Sequence, residues 1–242
     1  MQQNVTRKFR RTRKVLRRIY DRVKLWEFGA RKYLLGFDNA NGMLRVADRQ
    51  LGRRILRAYG CALADHVDLN TPIEIHNAAE PTSGETRVRY DKLVVGDHCH
   101  IGRDCFFDLS ERVVLEDHVC VAMRSTFITH IAVGQTALKA LYPTERGAIR
   151  LRRDTYLGAG VTVLKGVELG PNCLVAAGSV VTKSFPPDSL IAGVPARLVR
   201  RLEAPETQAQ PETSPATGTH PAAARPTGPA RGESTPAHEG DR

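Results

Sequence analysis

His130 stands where an otherwise regular sequence breaks its own rhythm, in STFITHIAVGQTALKALYP at residues 125–143. A neutral imidazole accepts a proton near pH 7, so a histidine held at such a break is a candidate general base. Taken alone, such a histidine is more often a solvated loop residue. His98 and His100, in GDHCHIG, have the alternation of a metal pair, but they fall near a corner of the repeat described below and read as surface histidines. The cysteines are Cys61, Cys99, Cys105, Cys120 and Cys173; the count is odd and no C-x-x-C occurs. Neither a disulfide framework nor a zinc site is indicated, no metal is expected, and a reducing cytoplasm is the simplest compartment.

The rhythm that His130 interrupts has a period of six. Apolar anchors recur at Val95, Ile101 and Phe107, then Leu115, Val121 and Phe127, and after the break at Leu151, Leu157, Val163, Leu169, Val175 and Val181. Two residues are inserted between Phe107 and Leu115. The residue after an anchor is often Gly or Ala, as at Gly96, Gly102, Gly158, Gly170 and Ala176. The fourth after it is small or β-branched, as at Cys99, Cys105, Ser125, Val161, Cys173 and Ser179. Six is a poor multiple of 3.6, and a Gly every six residues suits neither a helix nor a long strand. Short strands joined by tight corners, stacked unit on unit with anchors inward, satisfy the pattern.

The flanks differ. Residues 1–60 hold 17 of the Lys and Arg residues against Asp21, Glu27, Asp38 and Asp48, so the net charge of +10 is an N-terminal property. Val15, Ile19, Val23, Trp26, Ala30 and Tyr33 share one helical face, and Arg10, Arg11, Lys14, Arg17, Arg18 and Arg22 cover much of the rest. After Gly36 and DNANG, a second helix follows with Leu44, Ala47, Leu51, Ile55 and Tyr59 on one face and Gly60 as its stop. The basic amphipathic helix suits an anionic membrane surface or packing against the body; nothing in it supports nucleic-acid binding. No apolar run is long enough for a signal peptide core or a membrane span. Residues 203–242 carry half of the 14 prolines and no aromatic residue, which predicts a disordered tail.

YLGAGVTVLKGVELGPNCLVAAGSVVTKSFPPDSLIAGVPARLVRRL, residues 156–202, resembles the hexapeptide-repeat acyltransferases, nearest the galactoside, maltose and polysaccharide O-acetyltransferases. The resemblance covers roughly residues 60–202. It implies a mainly β fold, a left-handed parallel β-helix over 61–202 with a loop at 128–150, preceded here by the helical region 1–60. It further implies a homotrimer with acetyl-CoA in the groove between neighbouring prisms, and an acetyl-CoA-dependent O-acetyltransferase acting on a sugar hydroxyl of a surface polysaccharide or glycolipid. The enzyme would be cytoplasmic, with peripheral contact at the inner membrane face if the basic helix binds there. The loop histidine of that family falls on His130 as general base. Ala159 falls where galactoside enzymes carry a serine near the thioester. Ala177 and Gly178 fall beside the pantetheine arm, Thr182 and Lys183 at cofactor contacts, and Arg197 and Arg200 near the nucleotide phosphates. Asp108, in FFDLS, falls near an acceptor-binding position.

The sequence also departs from the pattern. Ile131 and Ala132 follow His130 where polysaccharide-type relatives often have polar residues, so the acceptor pocket is expected to be more apolar. Arg152, not Gly, follows Leu151. A γ-carbonic-anhydrase-like site needs three zinc histidines, two of them in H-x4-H spacing, which does not occur. The alternatives are a non-catalytic trimeric scaffold and an N-acyltransferase of the same fold.

Overall fold

The computed structural model describes residues 2–78 and 89–203; the expectation for the Pro-rich tail lies outside the described residues from 204 onward. Three helices come first: α1 (Gln2–Leu35), α2 (Phe37–Asn41) and α3 (Arg49–Ala58), with a 3-10 turn at Gly42–Arg45. The second helix starts later than the apolar spacing predicts. The Asp48 carboxylate accepts the backbone N–H groups of Gln50 (3.0 Å) and Leu51 (3.1 Å), an N-cap that begins α3 afresh. Gly60, at φ 99°, ends it.

The apolar face of α1 exists, but it does not face the core. Val15, Ile19, Val23, Trp26 and Tyr33 are exposed, and the helix docks through its other side, where Phe28 and Asp21 are fully buried. The Phe28 ring lies 4.5 Å from that of Tyr59. The Asp21 carboxylate lies 3.0 Å from Arg17 Nε and 3.1 Å from a guanidinium nitrogen of Arg54 on α3. A charged residue flanked by two arginines, together with Phe28, therefore anchors the helix, and the aliphatic stripe takes no part in that docking.

The helices pack onto a three-sided prism that winds in coils. Coil 1 is β1 (Ala62–Leu63), β2 (Asp68–Leu69) and β3 (Ile73–His76). Coil 2 is β4 (Leu93–Val95), β5 (His100–Ile101) and β6 (Cys105–Asp108). Coil 3 is β7 (Val113–Leu115), β8 (Cys120–Val121) and β9 (Thr126–Ile128). A hairpin of β10 (His130–Ile131) and β11 (Glu145–Arg146) then leaves the prism. Coil 4 is β12 (Ile149–Leu151), β13 (Tyr156–Leu157) and β14 (Thr162–Leu164). Coil 5 is β15 (Glu168–Leu169), β16 (Leu174–Val175) and β17 (Val180–Val181). β18 (Ser189–Gly193) and β19 (Ala196–Arg201) close the structure as an antiparallel pair.

Each face of the prism is a sheet whose coil strands run parallel: β1-β4-β7-β12-β15, β2-β5-β8-β13-β16-β18 with β19 added at its edge, and β3-β6-β9-β14-β17. The six-residue period puts every anchor at an equivalent inward position, and all of those from Val95 to Val181 are buried. Phe107 and Phe127, one coil apart, stack at 4.8 Å with their planes 3° apart, which is the spacing of neighbouring strands. Leu63, Leu69 and Ile75 keep the same beat in coil 1. The thiols are unpaired. Burial pushes Cys61 up to about 12 and Cys99 and Cys105 up to about 11, so these act as small core residues. No described helix is long and apolar enough to cross a membrane.

Candidate active site at the base of the hairpin

The insertion begins where β9 ends. Thr129 is held at this departure point: its carbonyl accepts the N–H of Gly147 at 2.9 Å, so the hairpin leaves and returns across one hydrogen bond. His130 therefore sits on an anchored base rather than on the loop tip. Its side chain remains 28% exposed.

Asp108 ends β6 on the neighbouring coil. Its register follows from the pairing of Phe107 with Phe127, which sets Asp108 beside Ile128 and two residues from His130. Its carboxylate is almost completely buried and ringed by donors. Oδ1 accepts Asn77 Nδ2 (2.7 Å) and Ser110 N (3.1 Å). Oδ2 accepts Thr129 N (2.8 Å) and lies 2.9 Å from the Thr129 hydroxyl and 2.6 Å from His130 Nδ1. Burial alone would raise this carboxyl. The hydrogen bonds from Asn77, His130, Ser110 and Thr129 outweigh it and hold Asp108 well below the usual carboxylate range. An ionised Oδ2 only accepts, so Nδ1 of His130 carries a proton, and in the neutral ring the lone pair then lies on Nε2. Among the described residues Nε2 has no partner.

The expectation that Asp108 contacts an acceptor meets a carboxylate already occupied by the chain's own donors. The structure instead brings Asp108 and His130 together as a pair. Asn77 and Thr129 complete the arrangement and escaped the sequence reading. Asn77 lies at the end of coil 1, where the anchors Leu63, Leu69 and Ile75 are the available signal.

The residues expected to hold a cofactor fall into three places. Ala159 and Ala177 are exposed on one corner, one coil apart, and Gly178 follows at φ 69°. A Cβ on Gly158 would lie 2.5 Å from Ala177 N, so the two coils approach this closely only with glycine there. Among the described residues, the N–H groups of Ala159 and Ala177 donate to no backbone carbonyl. Arg197 lies beside this corner on β19, opposite Ala192, while Gly193 N–H reaches Ser179 Oγ at 3.1 Å. Arg200 lies further along the same strand, and among the described residues no carboxylate pairs with either arginine. Thr182 and Lys183 are exposed at the far end of β17.

His130 and Ala159 stand at opposite ends of one face: β9 runs into His130, whereas β14, its partner, starts after Ala159. The four strand steps from Gly160 to Leu164 correspond to about 13 Å. A single chain thus assembles the Asp108–His130 pair and, separately, the Ala159–Ala177 corner.

The histidine pair in GDHCHIG separates. His100 Nδ1 lies 2.9 Å from Asp68 Oδ2, while His98 stacks between His66 and His118 at 5.0 and 5.2 Å. Ligand atoms of His66, Asp97 and His98 fall within 4.8 Å of one another on an open corner, the one grouping among the described residues with metal-like spacing. The hydrogen bonds of His66 to Asp97 hold that carboxyl down at about 2.

The bacterial transferase hexapeptide family (six repeats) matches residues 148–183. The galactoside O-acetyltransferase of Escherichia coli K12 is 26% identical over 113 residues, which is 44% of this chain and 56% of that enzyme. The match thus spans little more than half the relative's length. A hexapeptide-repeat acetyltransferase from Vibrio cholerae superposes with a TM-score of 0.56 at 21% identity, covering 76% of this chain and 94% of that one. The maltose O-acetyltransferase of Clostridium difficile 630 superposes with a TM-score of 0.56 at 20% identity, covering 68% and 83%. These likenesses identify the prism as a left-handed parallel β-helix. Within that prism, residues 148–183 carry the hexapeptide repeat of the matching family, and the structural likeness extends the same fold over the remaining coils.

Proposed function

We propose that the protein is an acyltransferase that moves the acetyl group of acetyl-CoA to a hydroxyl of a saccharide, with His130 as general base. The observation that carries this reading is the Asp108–His130 pair, in which Nε2 has no partner among the described residues and the histidine side chain is partly open to solvent. Nε2 takes the proton of the acceptor hydroxyl as its oxygen attacks the thioester carbonyl carbon. The tetrahedral intermediate collapses, the C–S bond breaks, and the departing sulfur takes the proton back from the imidazolium to leave as CoA thiol. The ester remains on the acceptor. Asp108 touches neither reactant; it fixes the ring and stabilises the imidazolium, a positioning role. Base catalysis of this kind contributes on the order of 10²–10⁴-fold in rate.

The N–H groups of Ala159 and Ala177, with no backbone acceptor among the described residues, suit the oxyanion and the amides of the pantetheine arm. Gly178 keeps the corner open, and Arg197 and Arg200, with no carboxylate partner among the described residues, suit phosphates. Thr182 and Lys183 belong to the same cofactor contact. His130 and Ala159 lie at opposite ends of a face, so a complete site takes His130 from one copy and the corner from its neighbour, as in a homotrimer. The V. cholerae protein has been solved in complex with acetyl-CoA, and relatives are named for galactoside and maltose as acceptors. Ile131 is 40% exposed beside His130, which favours an acceptor with an apolar portion, such as a glycolipid or polysaccharide precursor.

The test is calorimetric titration with acetyl-CoA on the protein and on His130→Ala, beside CoA release with a galactoside acceptor. One site per subunit in both proteins, with turnover lost only in the variant, is the expected result. No binding at millimolar acetyl-CoA, or equal turnover in both, refutes the reading and leaves the scaffold role.

A further inference from the structure

The outward face of α1 asks for a partner. Val15, Ile19, Val23, Trp26 and Tyr33 run along it, widened by Leu16 and Leu34, and the Trp26 side chain is 75% exposed. From Val15 to Leu34 the strip is about 28 Å long. A soluble surface rarely leaves so long an apolar strip uncovered.

The charges around the strip say what covers it. Of the two described acids on α1, Asp21 is buried between Arg17 and Arg54, and Glu27 is paired with Lys24 (2.7 Å) and Arg31 (2.8 Å). Among the described residues no carboxylate pairs with Arg13, Lys14, Arg18 or Arg22. The helical spacing sets Arg18 and Arg22 along one border of the strip and Arg13 along the other. Arg13, Lys14, Arg17, Arg18 and Arg54, with Leu16, also line a shallow groove of about 970 Å³ between α1 and α3. The only described carboxylate in that groove, Asp48, is already bonded to Arg17. A second copy is a poor cover: pairing two such helices strip to strip would bring their arginine rows together within a Debye length of about 8 Å, with no free acid to relieve them.

We propose that α1 is an interfacial helix that docks this protein on an anionic lipid surface. Trp26 and the aliphatic strip enter the boundary between headgroups and acyl chains, and the flanking arginines meet lipid phosphates. Docking there would keep the catalytic prism beside a lipid-linked acceptor, but the contact does not depend on the acyl-transfer reading.

Trp26 is the only tryptophan, so its emission reports on this face directly. The experiment mixes the full chain with vesicles of phosphatidylcholine alone or containing phosphatidylglycerol, and follows Trp26 emission, acrylamide quenching and flotation. Expected are exposed emission without vesicles, independent of protein concentration, and a blue shift with flotation on phosphatidylglycerol vesicles only. Binding should fall about tenfold in about 0.5 M salt, where screening shortens to roughly 4 Å. The double variant Ile19→Asp, Val23→Asp should lose at least about tenfold in binding while keeping its circular dichroism and acetyl-CoA titration, because both side chains face solvent in the folded chain. Three outcomes overturn the proposal. Emission already blue and shielded without vesicles means another copy covers the face. Emission that stays exposed, without flotation, means no lipid docking. Equal binding to neutral vesicles removes the anionic recognition. Failure here leaves acetyl-CoA binding and turnover as they were.

Discussion

Replacing Asp108 by Asn tests whether the buried carboxylate supports His130. The exchange keeps the shape and removes the charge. His130 Nδ1 lies 2.6 Å from Oδ2, and the charge centres of a carboxylate and an imidazolium in such contact are about 4 Å apart. At an effective dielectric of about 20, that attraction is at most about 4 kcal/mol. It is realised only when the ring is protonated, as in the transition state, so its loss should appear in kcat. The expected fall is roughly 10²–10³-fold, or about 2.7–4 kcal/mol, with KM for acetyl-CoA unchanged. The assay is CoA release with a galactoside acceptor at saturating acetyl-CoA. There is a second readout. A backbone N–H faces each oxygen, Ser110 N–H at Oδ1 and Thr129 N–H at Oδ2, so the new NH2 must face a donor on either side. Turned to the Oδ1 side it meets Asn77, which can rotate its amide, and Ser110 N–H, which cannot. One buried N–H is left unpaired, costing about 1–3 kcal/mol in stability. Because Asp108 is held below its ordinary value of about 3.9, its stabilisation is fully present above pH ~4 and drains away as pH falls further. The stability gap between protein and variant should therefore be constant from about pH 5 to 8 and close below about pH 4. A variant that turns over within threefold of the parent, while His130→Ala is inactive, would refute the positioning role.

Further outcomes follow from the same geometry. His130→Ala should keep its fold and acetyl-CoA affinity while kcat falls on the order of 10²–10⁴-fold, read in steady-state kinetics and calorimetry. Gly158→Ala puts a Cβ 2.5 Å from Ala177 N, so it should cost about 1–3 kcal/mol in urea unfolding and weaken acetyl-CoA binding. Gly102→Ala meets Met123 N at 2.5 Å on a neighbouring coil and should cost similar stability with binding intact, which separates the two effects. Arg197→Ala should raise the Kd for acetyl-CoA roughly tenfold and flatten its salt dependence, with kcat at saturation little changed. Iodoacetamide on the native protein should modify Cys120 first, as the half-buried thiol, with Cys61, Cys99 and Cys105 protected until unfolding; mass spectrometry counts the adducts.

The prism was legible because its rule is local: a residue six positions from an anchor must be another anchor, whatever else the chain does. The rule also contains more than the motif match yields. If Phe107 and Phe127 are equivalent anchors on successive coils, the residue after one must neighbour the residue after the other, and Asp108 lands beside Ile128, two residues from His130. The beat therefore places the carboxylate next to the histidine without any structure. What it cannot supply is direction. Whether Asp108 turns toward an incoming acceptor or toward His130 depends on Asn77, Ser110 and Thr129, and Asn77 arrives from coil 1 across an insertion that breaks the count. The same limit governs α1. Periodicity finds a helical face, but which face docks is decided by pairwise chemistry at a distance, here Asp21 with Arg54, 33 residues apart. Apolar spacing puts Val15, Ile19, Val23 and Trp26 on one face but leaves open whether that face meets the body or a membrane surface. A buried ion pair on the opposite side docks the helix there and leaves that stripe to the solvent. The spacing names the two faces of α1, and the Asp21–Arg54 contact decides which of them docks.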